Sequence, residues 1–391
     1  MMRFIAGNRL TLLHNGVEYF PELEAAIDKA SLEIFLAAYI FENDDTGRRI
    51  AQALKRAAGR GVSVHLLLDG FGSKSLPSEL IAAMTQAGVQ VLLFRPEVLS
   101  FKIRRQRLRR MHRKLAEIDS RIAFVGGINI IDDMHTPKQV PPRFDYAVKI
   151  EGPLVRVVHV AARDLWARVT WTHLRREWRH TRGLSATLSP YGEQRVALVT
   201  RDNVRHRRDI EQAYLGAIAA AKQEIIIANA YFLPGRNFRR ALINAAARGV
   251  RVILLLQGRV EYLLLHYASR ALYGYFLDAG VQIYEYHKSF MHAKVAVMDG
   301  YWATVGSSNI DPFSMLLGLE ANVVVEDNGF AHQLRQSLMQ AIAQGAHQVL
   351  RERWKNLPLP QRVLIWISYG AARFFTGVFG YGREHEFKRP R

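Results

Sequence analysis

The stretch Phe290-Met-His-Ala-Lys-Val-Ala-Val-Met-Asp-Gly300, followed by Gly306-Ser-Ser-Asn309, sets His292, Lys294, Asp299, Ser307 and Asn309 on a short strand, a turn and the next strand. A second copy lies upstream, Met111-His-Arg-Lys-Leu-Ala-Glu-Ile-Asp119 and then Gly126-Gly-Ile-Asn129. In both copies Lys follows His by two residues, Asp by seven and Asn by seventeen. The chain reads as two units built around this element.

The flanking sequence repeats as well. Arg60-Gly-Val-Ser-Val-His-Leu-Leu-Leu aligns with Arg248-Gly-Val-Arg-Val-Ile-Leu-Leu-Leu, and Ala87-Gly-Val-Gln-Val with Ala279-Gly-Val-Gln-Ile. A period of about 190 residues is too long for a solenoid and indicates a duplicated domain. Continuous apolar runs such as Glu33-Ile-Phe-Leu-Ala-Ala-Tyr-Ile-Phe41 and Glu224-Ile-Ile-Ile-Ala-Asn-Ala-Tyr-Phe232 read as strands buried on both faces. Helices alternate with them, including one over Tyr262 to Ala279. The expectation is an α/β fold with a mixed, largely parallel sheet in each half. Residues 1–182 form the first lobe, 183–192 a linker rich in Ser, Thr, Gly and Pro, 193–350 the second lobe and 351–391 a basic, aromatic tail.

Residues two apart on a strand share a face, so His292 and Lys294 present an imidazole and an ammonium side by side. Ser307 and Asn309, after a Gly turn on the neighbouring strand, can face the same point. A cation, an amide and a hydroxyl around an imidazole suit a tetrahedral oxyanion such as a phosphodiester. Two imidazoles across a pseudo-twofold axis allow a double displacement, one as nucleophile and the other as acid and base. Lys114, Lys294, Asn129 and Asn309 would hold the non-bridging oxygens. This chemistry calls for no cofactor and no metal, and no metal-ligand spacing is seen.

The chain has 54 Lys and Arg against 35 Asp and Glu, a formal charge of +19. That implies an anionic partner, a nucleic acid or an anionic membrane surface. Without cysteine there is no disulfide, thiolate metal site or cysteine nucleophile. No signal-peptide pattern opens the chain, and no charge-free run of ~20 apolar residues suggests a spanning helix. Eight of the residues from Lys102 to Lys114 are Lys or Arg, and this run reads as a membrane-contacting loop. The Trp-rich segment from Trp166 to Arg182 reads either as interfacial or as a surface helix with some buried Trp. The segment Val363 to Gly382 carries one charge, Arg373, and reads as an interfacial anchor rather than a span.

The paired motifs resemble the signature of the phospholipase D superfamily, His-x-Lys-x4-Asp followed by Gly-Gly/Ser-x-Asn, and the resemblance covers most of the chain. It implies two pseudo-symmetric lobes sharing one active site at their interface, and a phosphohistidine intermediate. It implies that His112, Lys114, Asp119, His292, Lys294 and Asp299 belong to the catalytic motifs, with the two Asp residues structural, linking the lobes away from phosphorus. Asn129, Ser307 and Asn309 are expected at the substrate phosphate. The superfamily also sets an acidic residue against each catalytic His. Glu320 stands at that spacing from His292, and Asp145, displaced by a longer loop, is the candidate in the first half. Gly127 replaces the Ser of the second copy. We read His112 as the nucleophile and His292 as the acid and base, roles that spacing alone does not fix.

Within the superfamily, Arg109-Arg-Met-His-Arg-Lys, Phe124-Val-Gly-Gly-Ile-Asn and Val305-Gly-Ser-Ser-Asn-Ile-Asp-Pro-Phe-Ser314 are similar to the short, type B group of bacterial cardiolipin synthases, which lacks the N-terminal transmembrane helices of the longer form. The similarity implies transfer of a phosphatidyl group between two phosphatidylglycerol molecules, anionic phospholipids and a membrane surface as partners, no obligatory nucleic acid, and a peripheral place on the bacterial inner membrane. The alternative is a phosphodiesterase of the same fold that hydrolyses phospholipids or nucleic acid.

Overall fold

A computed structural model describes residues 2–95, 109–137, 139–172, 189–202, 205–312, 314 and 318–378. Most of the basic run after Lys102, the end of the Trp-rich segment, the linker up to 188 and the last part of the tail lie outside the described residues.

The first lobe runs β1 (Ile5–His14), α1 (Asn15–Lys29), β2 (Glu33–Ala38), α2 (Asp45–Gly59), β3 (Ser63–Asp69), α3 (Ser78–Gln86), β4 (Gln90–Phe94), β5 (Arg110–Met111), β6 (Lys114–Ile118), β7 (Ile122–Gly126), β8 (Arg143–Phe144), β9 (Tyr146–Glu151) and α4 (Leu154–Thr172). The second runs β10 (Gln194–Arg201), α5 (Asp209–Ala220), β11 (Glu224–Asn229), α6 (Arg236–Ala247), β12 (Arg251–Gln257), α7 (Leu263–Arg270), α8 (Tyr273–Asp278), β13 (Gln282–Tyr286), β14 (Phe290–Met291), β15 (Lys294–Met298), β16 (Trp302–Gly306), β17 (Gly318–Glu326), α9 (Asn328–Gly345) and β18 (Ala346–Gln348). Two tail helices follow, α10 (Arg351–Lys355) and α11 (Leu359–Val378).

Outward from β1 the first lobe's sheet is ordered β1-β9-β7-β6-β2-β3-β4. Outward from β10 the second is β10-β17-β16-β15-β11-β12-β13, the same order strand for strand. The two sheets join where β1 pairs antiparallel with β10. Contrary to the largely parallel sheet expected, within the main path of each lobe's sheet only β2-β3-β4 and β11-β12-β13 pair in parallel among the described residues. The inner strands of each lobe are antiparallel. The cause is local. Turns of only a few residues at Asp119 and Asp299 join β6 to β7 and β15 to β16, and a parallel pair needs a crossover of a dozen residues or more. The helix expected over Tyr262 to Ala279 is two helices, α7 and α8, with a break at Ala271 and Leu272.

Alternate residues of β2 and β11 enter different apolar layers. Ile34 and Leu36 pack under α1 and α2, and Ile225 and Ile227 under α5 and α6. Phe35, Ala37, Ile226 and Ala228 face a central layer common to both lobes, which also takes Leu165 of α4 and Leu334 of α9. Being buried on both faces, these strands carry no polar alternation. Each fully buried Leu, Ile or Phe contributes roughly 1.5–3 kcal/mol. The common layer therefore holds the lobes together far more strongly than surface ion pairs, at about 0–1 kcal/mol each.

Candidate active site

Two short parallel bridges place the histidines. β5 pairs with the start of β17, Arg110 opposite Gly318 and Met111 opposite Leu319. β14 pairs with β8, Phe290 opposite Arg143 and Met291 opposite Phe144. Each His-bearing segment thus docks on the other lobe, just ahead of that lobe's carboxylate. His112 N donates to Leu319 O at 3.0 Å, and His292 N to Phe144 O at 2.8 Å.

The carboxylates are therefore exchanged relative to the expectation from spacing. His112 Nδ1 lies 3.0 Å from Glu320 Oε2, and His292 Nδ1 lies 2.7 Å from Asp145 Oδ2. Glu320 serves the first lobe's histidine and Asp145 the second's, because the bridges cross the lobe boundary and spacing within one copy cannot show that. An Nδ1–H held by a carboxylate leaves Nε2 as the free basic atom of each ring.

Gly127 and Ser307 differ because the carboxylates differ in length. Ser307 Oγ donates to Glu320 Oε2 at 2.6 Å and accepts Ala321 N–H at 3.0 Å. A Cβ at Gly127 would lie 2.3 Å from Asp145 Oδ1. The shorter aspartate thus holds its carboxylate where a serine side chain would stand. Ser307, expected at the substrate phosphate, spends its proton on Glu320 and acts as a support for the first lobe's dyad.

Both lysines are buried and fold back on their own motif. Lys114 Nζ donates to His112 O at 2.9 Å and sits 5.2 Å from the Tyr39 ring centre. Lys294 Nζ donates to His292 O, lies 2.9 Å from His292 Nδ1 and is 3.7 Å from Asp145 Oδ2. Asn129 Oδ1 accepts Ile40 N–H at 3.1 Å, which leaves its amide N–H groups to donate. Asn309 is buried, and its Oδ1 has no partner among the described residues.

Asp119 and Asp299 do not link the lobes. Asp119 accepts the N–H groups of Ser31, Leu32 and Glu33 at 2.8–2.9 Å, and Asp299 those of Lys222, Gln223 and Glu224 over the same range. Each ties its own β-turn to the loop entering β2 or β11, from a backbone with positive φ, 55° at Asp119 and 52° at Asp299. They lie at the opposite end of β6 and β15 from the lysines.

Burial lowers the pKa of His112, with Glu320 opposing and Lys114 and Lys294 reinforcing the shift. His292 is lowered further, by burial and then by Lys294, Lys114 and Arg143. Lys114 is brought down to about 7, chiefly by burial. Burial raises Asp145 despite Lys294. Burial also opposes ionisation of Glu320, but His112, Lys114 and the Ser307 hydroxyl outweigh it and hold Glu320 below the ordinary carboxylate range. The site is a cationic, desolvated cradle with one firmly ionised carboxylate.

Spacing missed several supporting residues. Buried Arg113 and Arg201 donate to Glu320 O and Gly318 O, clamping the start of β17. Arg143 lies 5.0 Å from the Phe290 ring centre and donates to His135 O at 2.9 Å, clamping β8 to β14. Asp69 Oδ2 accepts Met111 N–H at 2.7 Å and fixes the residue before His112. Tyr39 meets His112 edge to face at 4.7 Å. Positional signals existed for Arg113, set between His and Lys and so on the opposite face, and for Arg143, two before Asp145.

Residues 23–140 and 214–342 match a family described as cardiolipin synthase, PLD-like domain. The chain is 43% identical over 357 residues to cardiolipin synthase B of Escherichia coli K12, covering 90% of this chain and 86% of that one. It is 32% identical over 367 residues to a cardiolipin synthase of Geobacillus kaustophilus, covering 92% and 71%. The fold superimposes on the crystal structure of phosphatidylserine synthase from Haemophilus influenzae with a TM-score of 0.70 at 13% identity, over 96% of each chain. With a family match over more than half its length and close relatives along nearly all of it, the chain belongs to the phospholipase D-like cardiolipin synthase family.

Proposed function

We propose that the protein transfers a phosphatidyl group from one phosphatidylglycerol to the glycerol hydroxyl of a second, releasing free glycerol and forming cardiolipin. The observation that carries the reading is the crossed pair of dyads around two buried lysines. In the first step His112 Nε2 attacks phosphorus, the bond to the glycerol oxygen breaks, and His292 gives that oxygen a proton. In the second, the acceptor hydroxyl attacks phosphorus, His292 takes its proton, and the N–P bond breaks. One phosphodiester replaces another, so no nucleotide is consumed. Lys114, Lys294, Asn129 and Asn309 hold the non-bridging oxygens as charge builds.

The dyad electrostatics support His112 as nucleophile. A phosphorylated imidazole whose Nδ1 stays protonated carries lasting positive charge, and Glu320 is the carboxylate held ionised. His292, with its lowered pKa, is the stronger acid once protonated.

The membrane is met by the basic surface and by α11. This helix buries Ile365, Ser368 and Ala372 against the second lobe and exposes Val363, Leu364, Trp366, Ile367 and Phe374. No described helix is long and apolar enough to cross a membrane. An exposed apolar stripe on a helix docked to a strongly cationic protein suits a peripheral seat on an anionic bilayer such as the bacterial inner membrane.

The deciding experiment incubates the purified protein with phosphatidylglycerol vesicles labelled in the glycerol head. Cardiolipin and free glycerol in equal amounts are expected. Phosphatidic acid alone, or DNA cleavage without a lipid product, would overturn the reading in favour of a hydrolase.

A further inference from the structure

A pocket adjoins the second half-site, and its lining includes Ala230, Tyr231, Gln257, Glu261, Tyr262 and His266. Its wall is continuous with the catalytic strand, since Ala230 N donates to Ala293 O at 3.0 Å and Ala293 stands between His292 and Lys294.

Gln257 closes β12 and is only 7% exposed, yet neither its amide nitrogen nor its oxygen has a partner among the described residues. Its counterpart at the end of β3 is Asp69, whose carboxylate is fully spent inside the fold on the N–H groups of Phe71, Gly72 and Met111. The duplicated fold thus uses this strand end structurally in one lobe and leaves it open in the other. Leaving a buried amide unpaired is costly, and a ligand that pairs with it returns that cost.

The chemistry of the lining selects the ligand. An amide offers a donor and an acceptor together, and a hydroxyl engages both where a phosphate oxygen, which only accepts, engages one. Tyr231 Oη donates to Glu261, whose carboxyl group accepts from hydroxyls, and Arg259, also in the lining, is turned onto His287 O, to which its Nε donates at 2.8 Å. Exposed Val260, Tyr262 and Leu263 give an apolar rim, and α7 packs against the lipid-facing helix α11.

We propose that this pocket is the acceptor subsite, in which Gln257 and the Tyr231–Glu261 pair hold the vicinal hydroxyls of the incoming glycerol head group beside His292. The inference rests on the transfer reaction proposed above and names the residues that choose a polyol over water or a simple alcohol.

The test presents phosphatidylglycerol vesicles to wild type, Gln257→Met and Tyr231→Phe with ethanol as a competing acceptor, and measures cardiolipin, phosphatidylethanol and phosphatidic acid. Gln257→Met is expected to lower the preference for the glycerol acceptor over ethanol about tenfold or more, because a site built to bond a hydroxyl discriminates by that bond. Tyr231→Phe should shift the ratio in the same direction, and it is read even where the Gln257 variant melts early. Unchanged product ratios in a folded variant would mean that Gln257 holds a buried water only, and would overturn the subsite. If wild type itself yields no cardiolipin, the transfer reading fails first, and the two failures are distinct.

Discussion

His112 Nδ1 lies 3.0 Å from Glu320 Oε2, and these two residues come from opposite lobes. The pairing of His292 with Asp145 crosses in the reverse sense. The exchange follows from the bridges β5–β17 and β14–β8, which seat each histidine on the other lobe's strand. We predict that Glu320→Gln perturbs the ring of His112 and leaves His292 unchanged. Imidazole nitrogen resonances in ¹⁵N-labelled protein read this directly. A shift confined to His292 would restore the uncrossed arrangement. Turnover should fall about 10²–10⁴-fold, as when an orienting carboxylate or an acid–base group is removed from a catalytic site.

Gly127 and Asp145 act as one unit. We expect Gly127→Ser to push Asp145 off His292, since its Cβ would stand 2.3 Å from Oδ1. The rate should drop about 100-fold, in the range of a lost acid–base step, while the melting temperature stays within a few degrees. Adding Asp145→Glu rebuilds the Ser–Glu pair of the other lobe and should recover part of the rate. A double variant no better than the single one would mean that chain length does not explain the asymmetry.

The motif spacing made the duplication and the histidine–lysine pairs legible, because residues two apart on a strand must share a face. The apolar runs of β2 and β11 likewise marked doubly buried strands. The partner of each histidine was not legible. It depends on two-residue bridges between lobes, and nothing in Arg110-Met111 or Arg143-Phe144 announces a strand that pairs elsewhere. The roles of Ser307 and of the motif aspartates failed for a related reason. A spacing gives proximity along the chain but not which hydrogen atom a hydroxyl or a backbone amide has already committed.

Asp299 secures a turn through the N–H groups of Lys222, Gln223 and Glu224. Burial disfavours its charge, but the N–H groups of Glu224, Lys222 and Gln223 outweigh that and hold its pKa below the ordinary carboxyl value. A depressed folded pKa means that the stabilisation is complete above the unfolded value and is lost as pH falls through the folded one. We predict that Asp299→Asn lowers stability by about 1–3 kcal/mol near neutrality and flattens the loss of stability in acid. Urea unfolding at pH 7 and pH 3 measures both. A variant as stable as wild type at pH 7 but inactive would move Asp299 into the chemistry.

The apolar stripe on α11 makes a separate claim on membrane binding. Trp366 and Ile367 are 61% and 64% exposed, so charging them disturbs little packing. Trp366→Glu with Ile367→Glu should weaken binding to phosphatidylglycerol vesicles by at least tenfold, because it removes inserted apolar area and adds repulsion from an anionic surface. Sedimentation with vesicles reports the affinity. The defect should shrink when substrate is offered in mixed micelles. Equal sedimentation of variant and wild type would leave the basic surface as the whole of the attachment.

The pH profile should expose Lys114. Burial brings this ammonium down to about 7, while Glu320 pulls it up and Lys294 pushes it down. Lysine is cationic below its pKa, and the cation is the form that binds phosphate. The second-order rate constant, which reports the free protein, should therefore decline as pH rises through about 7. The first-order constant should hold to higher pH, because a bound phosphodiester raises the lysine's pKa. On the acid side burial holds His112 below its ordinary 6.5, so the attack on phosphorus proposed for it sets the acid limb under that value. Lys114→Arg keeps the charge at all working pH values, since guanidinium does not titrate there, but its planar fork fits the cradle less well. A lower maximum with no alkaline limb near 7 is expected from this variant. An alkaline limb unchanged by Lys114→Arg would assign it to another group, and Lys294, buried beside Asp145, is the first to examine by the same substitution.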